Sequence, residues 1–353
     1  MRAAMEAATR DEADAHEAAA RAWLRTAIDE GEGVARVFAQ APSPALARHL
    51  LRLLADVEAT YADVDLLRPV LFAMPLVLVA ALEANTAPIT LSGVLPDARS
   101  LAQRLCEVRV FGGCETLALA PSLVPPHAID LRALPALFAR TRLAADGGEP
   151  SFGAIVDLPP SPLRVDARDE RVHLRFVVGA VLAPPKVDAL ASSTLANAGI
   201  DIARAIGDAL KAPGVALLAL PKPPLRVALA VPAGRAAQRE VSAQLFVGNA
   251  LRALRASYGE PTAIISAHRA PDAPGGGELR LSLSSPFAPR AAQGLRCPVY
   301  PAESVADVIA ALEVLLRDCR VADVRLLAGV HPDIDAVTGQ PLFFKNAGEG
   351  AVH

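Results

Sequence analysis

The sequence has few aromatic residues, few cysteines and little net charge. Aromatic side chains make up 4% of its 353 residues, and the formal net charge is −3. A balance this close to neutral supplies no overall field to attract nucleic acid or an anionic membrane. The cysteines lack both the C-x-x-C spacing of a zinc site and the density of a secreted disulfide framework. They are Cys106, Cys114, Cys297 and Cys319.

Long apolar segments are also missing. The most membrane-like run, Val70–Leu82, is shorter than the roughly 20 residues that span a bilayer, and Pro75 interrupts it. Residues 1–25 interleave Asp, Glu and Arg with Ala, and so lack the apolar region of a secretory signal. We therefore expect a cytoplasmic protein with reduced thiols and no membrane contact, in which Val70–Leu82 is a buried strand.

Recognisable catalytic motifs are absent as well. The sequence contains no G-x-S-x-G elbow and no Walker-type phosphate loop, and its seven histidines are scattered. We accordingly predict no catalytic residues and no cofactor. Four arginines on one predicted helix could contact phosphate, but the strands lack the stacked aromatics that hold bases, so nucleic acid is not an expected partner. These arginines are Arg235, Arg239, Arg252 and Arg255.

What the sequence does contain is a repeated order of apolar strand, amphipathic helix and apolar strand. The four predicted copies occupy residues 70–82, 97–108 and 116–120; 172–182, 195–211 and 215–220; 225–231, 239–256 and 262–266; and 278–284, 304–318 and 323–327. This internal repeat predicts an α+β fold built from tandem ferredoxin-like, split β-α-β sandwich units.

Turn-rich segments of the sequence predict where the chain divides into structural parts. We expect a helical N-terminal segment over 1–67, a first β-α-β unit over 68–150, tandem units over 151–330, and a C-terminal tail over 331–353 that packs on the body. The junction Leu220–Leu225 is too short for a crossover helix, so it predicts antiparallel pairing of the strands on either side.

One short segment carries candidate metal ligands. His331, Asp333 and Asp335 are spaced so that hard and borderline ligands could converge on a divalent ion. His-Pro-Asp is equally ordinary turn chemistry, because Pro restricts φ and Asp bonds its own backbone. We keep the three residues as candidates and predict no bound metal.

Two further segments are candidate binding sites. Gly112 and Gly113 could cradle an anion through backbone amides, or form a tight turn between helix and strand. Phe343 and Phe344 are adjacent aromatics in a chain that has few, which indicates either packing onto the sheet or docking of a partner.

The tail also carries a family resemblance. The succession Gly329-Val-His-Pro-Asp333, Gly339-Gln-Pro-Leu-Phe343 and Gly348–His353 resembles the end of a proteobacterial domain-of-unknown-function family, numbered 2863. Arg175–Val181 is similar to a second segment of that family, as is the helix entry 235–239. Asp335 and Thr338 stand where the family has cysteines, so the resemblance implies an intracellular bacterial protein without an inherited metal site.

Together these observations favour a non-enzymatic intracellular binding or interaction protein, with a protein partner or self-association expected. Two alternatives remain open. The first is a small-molecule sensor with its effector near Gly112-Gly113 and Pro184-Pro185, and the second is an enzyme whose catalytic groups come together only in the folded chain.

Overall fold

The fold is known from a computed structural model. It describes residues 10–29, 41–60, 68–82, 87–95, 98–107, 110–111, 116–129, 162–165, 172–183, 190, 195, 199–273, 275–285, 287–346 and 349–352. The predicted α+β class is confirmed, because helices and mixed sheets alternate along these residues. The chain divides into two compact units, one of residues 1–36 and 49–238 and the other of residues 37–48 and 239–353.

The first unit is built on a four-stranded sheet. The strands described in this unit are β1 (Arg68–Leu82), β2 (Ile89–Leu91), β3 (Thr116–Leu119), β4 (Leu163–Val165), β5 (Val172–Ala183) and β6 (Val215–Pro221). The order in the main sheet is β3-β5-β1-β6 with every neighbouring pair antiparallel, while β2 and β4 form a separate pair. Every residue from Val70 to Leu78 is buried, and an inner strand covered on both faces needs no polar alternation.

Helices accompany this sheet in the first unit. They are α1 (Arg10–Asp29), α2 (Pro44–Thr60), α3 (Ala98–Glu107), α4 (Gly199–Ala209) and α5 (Val227–Tyr258), and the last of these continues into the second unit. Leu105 of α3 and Ile202 of α4 share one apolar core with β1. On α5, a Cβ at Gly234 would lie 2.9 Å from the ring of Phe176, so glycine lets the helix approach the sheet closely. No helix in the described ranges is long and apolar enough to cross a membrane.

The second unit has a different strand order. Its elements are β7 (Thr262–Arg269), β8 (Gly277–Ser285), β9 (Ala288–Val299), α6 (Val305–Asp318), β10 (Asp323–His331), β11 (Phe343–Asn346) and β12 (Glu349–Val352). The main sheet runs β10-β7-β8-β9, with β7, β8 and β9 as an antiparallel meander and β10 parallel to β7. Ser304 caps the N-terminus of α6, because its hydroxyl accepts the Asp307 N–H.

The two faces of this second sheet differ in chemistry. Leu279, Leu281 and Leu283 of β8 pack against α5 and α6 in the apolar core, on what we call the helix face. Glu278 and Arg280 alternate with them and point to the opposite, tail face, because successive strand residues face opposite sides. There β11, paired with β12 in a hairpin, contacts β7, β8 and β9.

One predicted strand is a helix. Residues 225–231 belong mostly to α5, which begins at Val227, and β6 pairs with β1 rather than with this segment. The predicted antiparallel junction at 220–225 is therefore wrong. The run resembles a strand because it is almost wholly apolar, but the side chain of Glu58 stabilises a helix start by accepting the N–H groups of Val227 and Ala228.

The grouping of the copies also differs from the prediction. β5 and β6 complete a sheet with β1 and β3, so residues 172–327 are not one continuous unit. The division between the units falls after Gln238, inside the stretch 151–330 that was predicted to hold tandem units. β9 has no counterpart in the predicted copies, because Ala288–Val299 contains two prolines and few β-branched residues.

Candidate functional site

The tail face of the second unit holds a cluster of buried polar side chains. Each is at most 4% exposed to solvent. Burying polar groups costs free energy unless hydrogen bonds replace the lost water, so such a cluster needs defined partners. The cluster consists of Ser266 and His268 on β7 and Glu278, Arg280 and Ser282 on β8.

Arg280 is the centre of this polar cluster. Its Nε donates to Glu278 Oε1 at 2.6 Å, and its Nη2 donates to the carboxylate of Asp333. Its Nη1 donates to the backbone carbonyls of Asp333, at 2.5 Å, and Leu342, at 2.8 Å. The guanidinium also lies 5.4 Å from the ring centroid of Phe343. One buried side chain therefore joins β8 to both ends of the 333–343 segment.

A second arginine balances the charge of the cluster. Arg296 of β9 donates from Nε to both carboxylate oxygens of Glu278 at 2.9 Å, while itself staying about half exposed. Two guanidinium groups thus face the carboxylates of Glu278 and Asp333. A buried ionic group is tolerated when its opposite charges and hydrogen bonds are this complete, so we interpret the network as a structural attachment for the tail.

The two tail phenylalanines lie against this face of the sheet. A Cβ at Gly294 of β9 would lie 2.5 Å from the Phe343 ring, so the absence of a side chain there makes room for the ring. The Phe344 ring centroid is 4.7 Å from that of His331 and 6.0 Å from that of His268. Both predicted interaction residues are half-buried and pack within the second unit.

His268 is held in one tautomer by its neighbours. Its Nδ1 lies 2.7 Å from the Pro332 carbonyl, which only accepts, so Nδ1 carries the proton and donates to it. Nε2 is then the acceptor for the Ser266 hydroxyl at 2.8 Å. Burial lowers the pKa of His268, and the positive charge of Arg280 lowers this pKa further, against the opposing effects of the Pro332 carbonyl and of Glu278. His268 is therefore neutral at pH 7.

The chemistry of this arrangement is that of a nucleophile, a base and an orienting group. Ser266 has the place of the nucleophile, His268 that of the base and the Pro332 carbonyl that of the orienting group. Both side chains are at most 2% exposed, beneath Phe344 and His331. A substrate would have to displace the tail to reach the hydroxyl. In the arrangement seen, these groups satisfy one another's hydrogen bonds.

The predicted metal ligands do not converge. The Asp333 carboxylate is bonded to Arg280, and Asp335 Oδ1 accepts the backbone N–H groups of Val337 at 2.8 Å and Thr338 at 2.9 Å. His331 lies instead in the ring cluster with His268. No group of three His, Cys, Asp or Glu residues that could hold a metal occurs anywhere in the described chain.

The remaining candidate sites are the glycine pair, the proline loop and the arginine-bearing helix. Gly112, Gly113 and the loop Pro184-Pro185 lie outside the described residues. Arg239 forms an ion pair with Glu303, with Nη2 donating to Oε1 at 2.7 Å. Arg255 donates to the carbonyls of Cys319 and Arg320. These two arginines of the predicted phosphate-contacting helix are therefore engaged within the protein.

A buried carboxylate organises the first unit. Glu58 of α2 is fully buried, and its two oxygens accept the N–H groups of Val227 at 3.1 Å and Ala228 at 3.0 Å. A carboxylate at a helix N-terminus is favoured by the helix dipole and by the unpaired N–H groups there. Burial nevertheless raises the pKa of Glu58 to about 7, because desolvation of the charge outweighs these hydrogen bonds.

The two edge strands of the second sheet differ in how well they are protected from pairing with another strand. β9 carries Pro289 and Pro298, which cannot donate a hydrogen bond to an incoming strand. β10 has no proline, and it exposes Leu326 by 51% and Val330 by 63%. Asp323 and Arg325 form an ion pair at the beginning of β10, with Nη2 to Oδ2 at 2.8 Å. Within the described residues, β10 is hydrogen-bonded to β7 alone.

Neither the polar cluster nor the exposed edge of β10 could be predicted from the sequence. The alternation of Leu279, Leu281 and Leu283 with polar residues was a usable signal for a polar face, but it does not identify the partners some 50 residues further along. Exposure of an edge strand has no sequence signal until the strand order is known. Comparisons with protein-family models, with curated proteins and with solved structures found no match. Function must therefore be inferred from the geometry itself.

Proposed function

We propose that this protein is a non-enzymatic binding protein of the cytoplasm whose second unit contacts another protein chain through the edge strand β10. The observation that carries the proposal is the exposure of Leu326 and Val330 on a strand edge without proline. Natural sheets usually protect such edges, since unpaired N–H and C=O groups beside apolar side chains invite pairing with another strand.

Further exposed apolar side chains follow β10 directly. Ile334 is about half exposed, and Val337 at the tip of the next turn is almost fully exposed. Exposed apolar residues that occur singly need no explanation, but a succession along one segment is typical of an interaction surface. We define the contact surface as Leu326, Val330, Ile334 and Val337.

The polar cluster supports a binding role over catalysis. Arg280, Glu278 and Asp333 are paired with one another, and the pair Ser266–His268 is closed beneath the tail. Groups that bond one another in this way are not directed at a substrate. In this proposal the cluster keeps the tail on the sheet and so holds Ile334 and Val337 of the contact surface in a fixed geometry.

The proposed cytoplasmic location and the finer fold class rest on other observations. Cys297 and Cys319 carry free thiols, as is usual in a reducing compartment, and burial raises the pKa of Cys297 to about 12. In the first unit, α3 connects β1 to β3 and α4 connects β5 to β6, and in each case another strand lies between the two connected strands in the order β3-β5-β1-β6. This arrangement supports a ferredoxin-like split β-α-β sandwich. That fold hosts many functions and selects none.

Replacing Val330 with aspartate tests the contact surface. We expect Val330→Asp to weaken partner binding about tenfold or more, because an apolar contact is replaced by a desolvated charge. Native mass spectrometry of protein purified from its own host would measure the fraction in complexes. Val314→Asp is the matched control, since Val314 is an exposed valine of α6. Wild-type protein found wholly as free monomer, or equal losses in both variants, would contradict the proposal.

A hydrolase is the second candidate, because Ser266 and His268 have the geometry of a nucleophile and its base. A fluorophosphonate probe distinguishes the two functions. A binding protein should leave Ser266 unlabelled. Labelling that disappears in Ser266→Ala, while the melting temperature stays unchanged, would favour the enzyme.

A further inference from the structure

We infer that the chain bound along β10 is a second copy of this protein, paired antiparallel across a two-fold axis at Val324. This inference rests on the proposed function and specifies its partner. Two four-stranded sheets would then join edge to edge into one continuous sheet. A contact of this kind uses the same surface on both copies, so the surface must be complementary to itself.

The charges at the beginning of β10 meet that requirement. In the order Asp323-Val324-Arg325 an acid and a base flank an apolar residue. Antiparallel pairing centred on Val324 places Asp323 of each copy directly opposite Arg325 of the other. Opposite charges in this cross-strand position stabilise a sheet, and like charges destabilise it. Both side chains are about half exposed, so they are accessible to a second copy.

The other face of the same strand is apolar. Val324 is paired with Ala263 of β7 and packs at the margin of the apolar core, so it points to the helix face. At the axis it would meet Val324 of the second copy. Leu326 would lie opposite Ala322, and both are exposed in the single chain. The pairing therefore has apolar contacts on the helix face and ion pairs on the tail face.

A bulge limits the register to the first part of β10. Residues 323–326 pair regularly with 262–265 of β7, and the register then shifts between Leu326 and Val330. Gly329 has a φ of 86°, which a residue with a side chain rarely adopts. Bulges bend a strand and end regular pairing at an edge. A second copy can therefore align with residues 322–326, and only a register centred on Val324 places both charges opposite their complements there.

Charge reversal tests this register. Asp323→Arg alone and Arg325→Asp alone would each place like charges opposite one another, and should raise the dimer dissociation constant at least tenfold. The double variant Asp323→Arg/Arg325→Asp restores opposite charges and should return the constant close to the wild-type value. Sedimentation equilibrium measures all four proteins. The ion pair inside one chain is exposed and contributes little to stability, so all variants should keep similar melting temperatures.

A crosslink provides a second, independent measurement. Val324→Cys would place two thiols opposite each other at the axis, so mild oxidation with diamide should give a disulfide-linked dimer. Ala328→Cys, at an exposed position of the same strand, is the control and should crosslink far less. Wild-type protein that stays monomeric at the highest attainable concentration, or a double variant that does not recover, would overturn the second-copy assignment. If Val330→Asp still releases another partner in that case, the proposed function stands without it.

Discussion

Replacing Arg280 with methionine is expected to lower the free energy of unfolding of the second unit by about 3–5 kcal/mol. Methionine fills a similar volume but leaves the buried carboxylate of Glu278 without its closest cation, and removes the donor for the carbonyls of Asp333 and Leu342. The tail should detach first. Chemical unfolding followed by hydrogen exchange would show faster exchange in β8 and in residues 333–346.

The matched control is Arg296→Met, which removes the same charge from the same carboxylate. Arg296 is about half exposed, so this variant should cost less than about 1 kcal/mol. Adding Glu278→Gln to Arg280→Met should recover part of the loss, because the buried charge left behind is then neutral. Equal destabilisation by the two arginine variants would show that Arg280 does not hold the tail.

The stability of the first unit is expected to fall as the pH rises from about 4.5 to about 7, through Glu58. Burial raises the pKa of this carboxyl from 4.5 to about 7, so the folded state binds its proton more tightly than the unfolded state does. The contribution of Glu58 to the free energy of unfolding is fully present below the pKa of the unfolded state. It is lost as the pH rises through the pKa of the folded state. A difference of this size between the folded and unfolded pKa values corresponds to roughly 3 kcal/mol of unfolding free energy.

Glu58→Gln isolates this effect, because glutamine does not titrate. The difference in unfolding free energy between wild type and variant, measured at several pH values by the fluorescence of Trp23, should change across this window. Trp23 lies in the first unit and is the only tryptophan of the chain. Asp56→Asn removes a charge from the exposed side of the same helix and should leave the pH slope unchanged. A slope that persists in Glu58→Gln would assign it to other groups.

The helices and several strands could be predicted from the sequence because their signals are local. The helices at 98–107, 199–209 and 305–318 lie where apolar residues recur at helical spacing. Val70–Leu82 is a buried strand, as its uninterrupted apolar run indicates. The tail packs its phenylalanines on the sheet, although two adjacent aromatics in the sequence are compatible with packing or with docking of a partner.

The incorrect predictions share one cause. Residues far along the chain decide which of two structures or roles a local segment adopts. Residues 225–231 have a strand-like pattern, yet Glu58, some 170 residues earlier, supplies the acceptors that start a helix there. Asp333 has the chemistry of a metal ligand, yet Arg280 occupies its carboxylate. Either assignment was compatible with the nearby sequence, because a hydrogen-bond partner far along the chain leaves no local periodicity.

By itself, the sequence determined the α+β class and the positions of most helices, since these follow from side-chain periodicity. Only the tertiary structure decided the strand order, which strand lies exposed at the edge and which charges neutralise one another in the interior. Those features depend on contacts between residues far apart in the chain. The candidate binding edge at β10 belongs to this second group, because a strand is an edge only in relation to the strands that pack beside it.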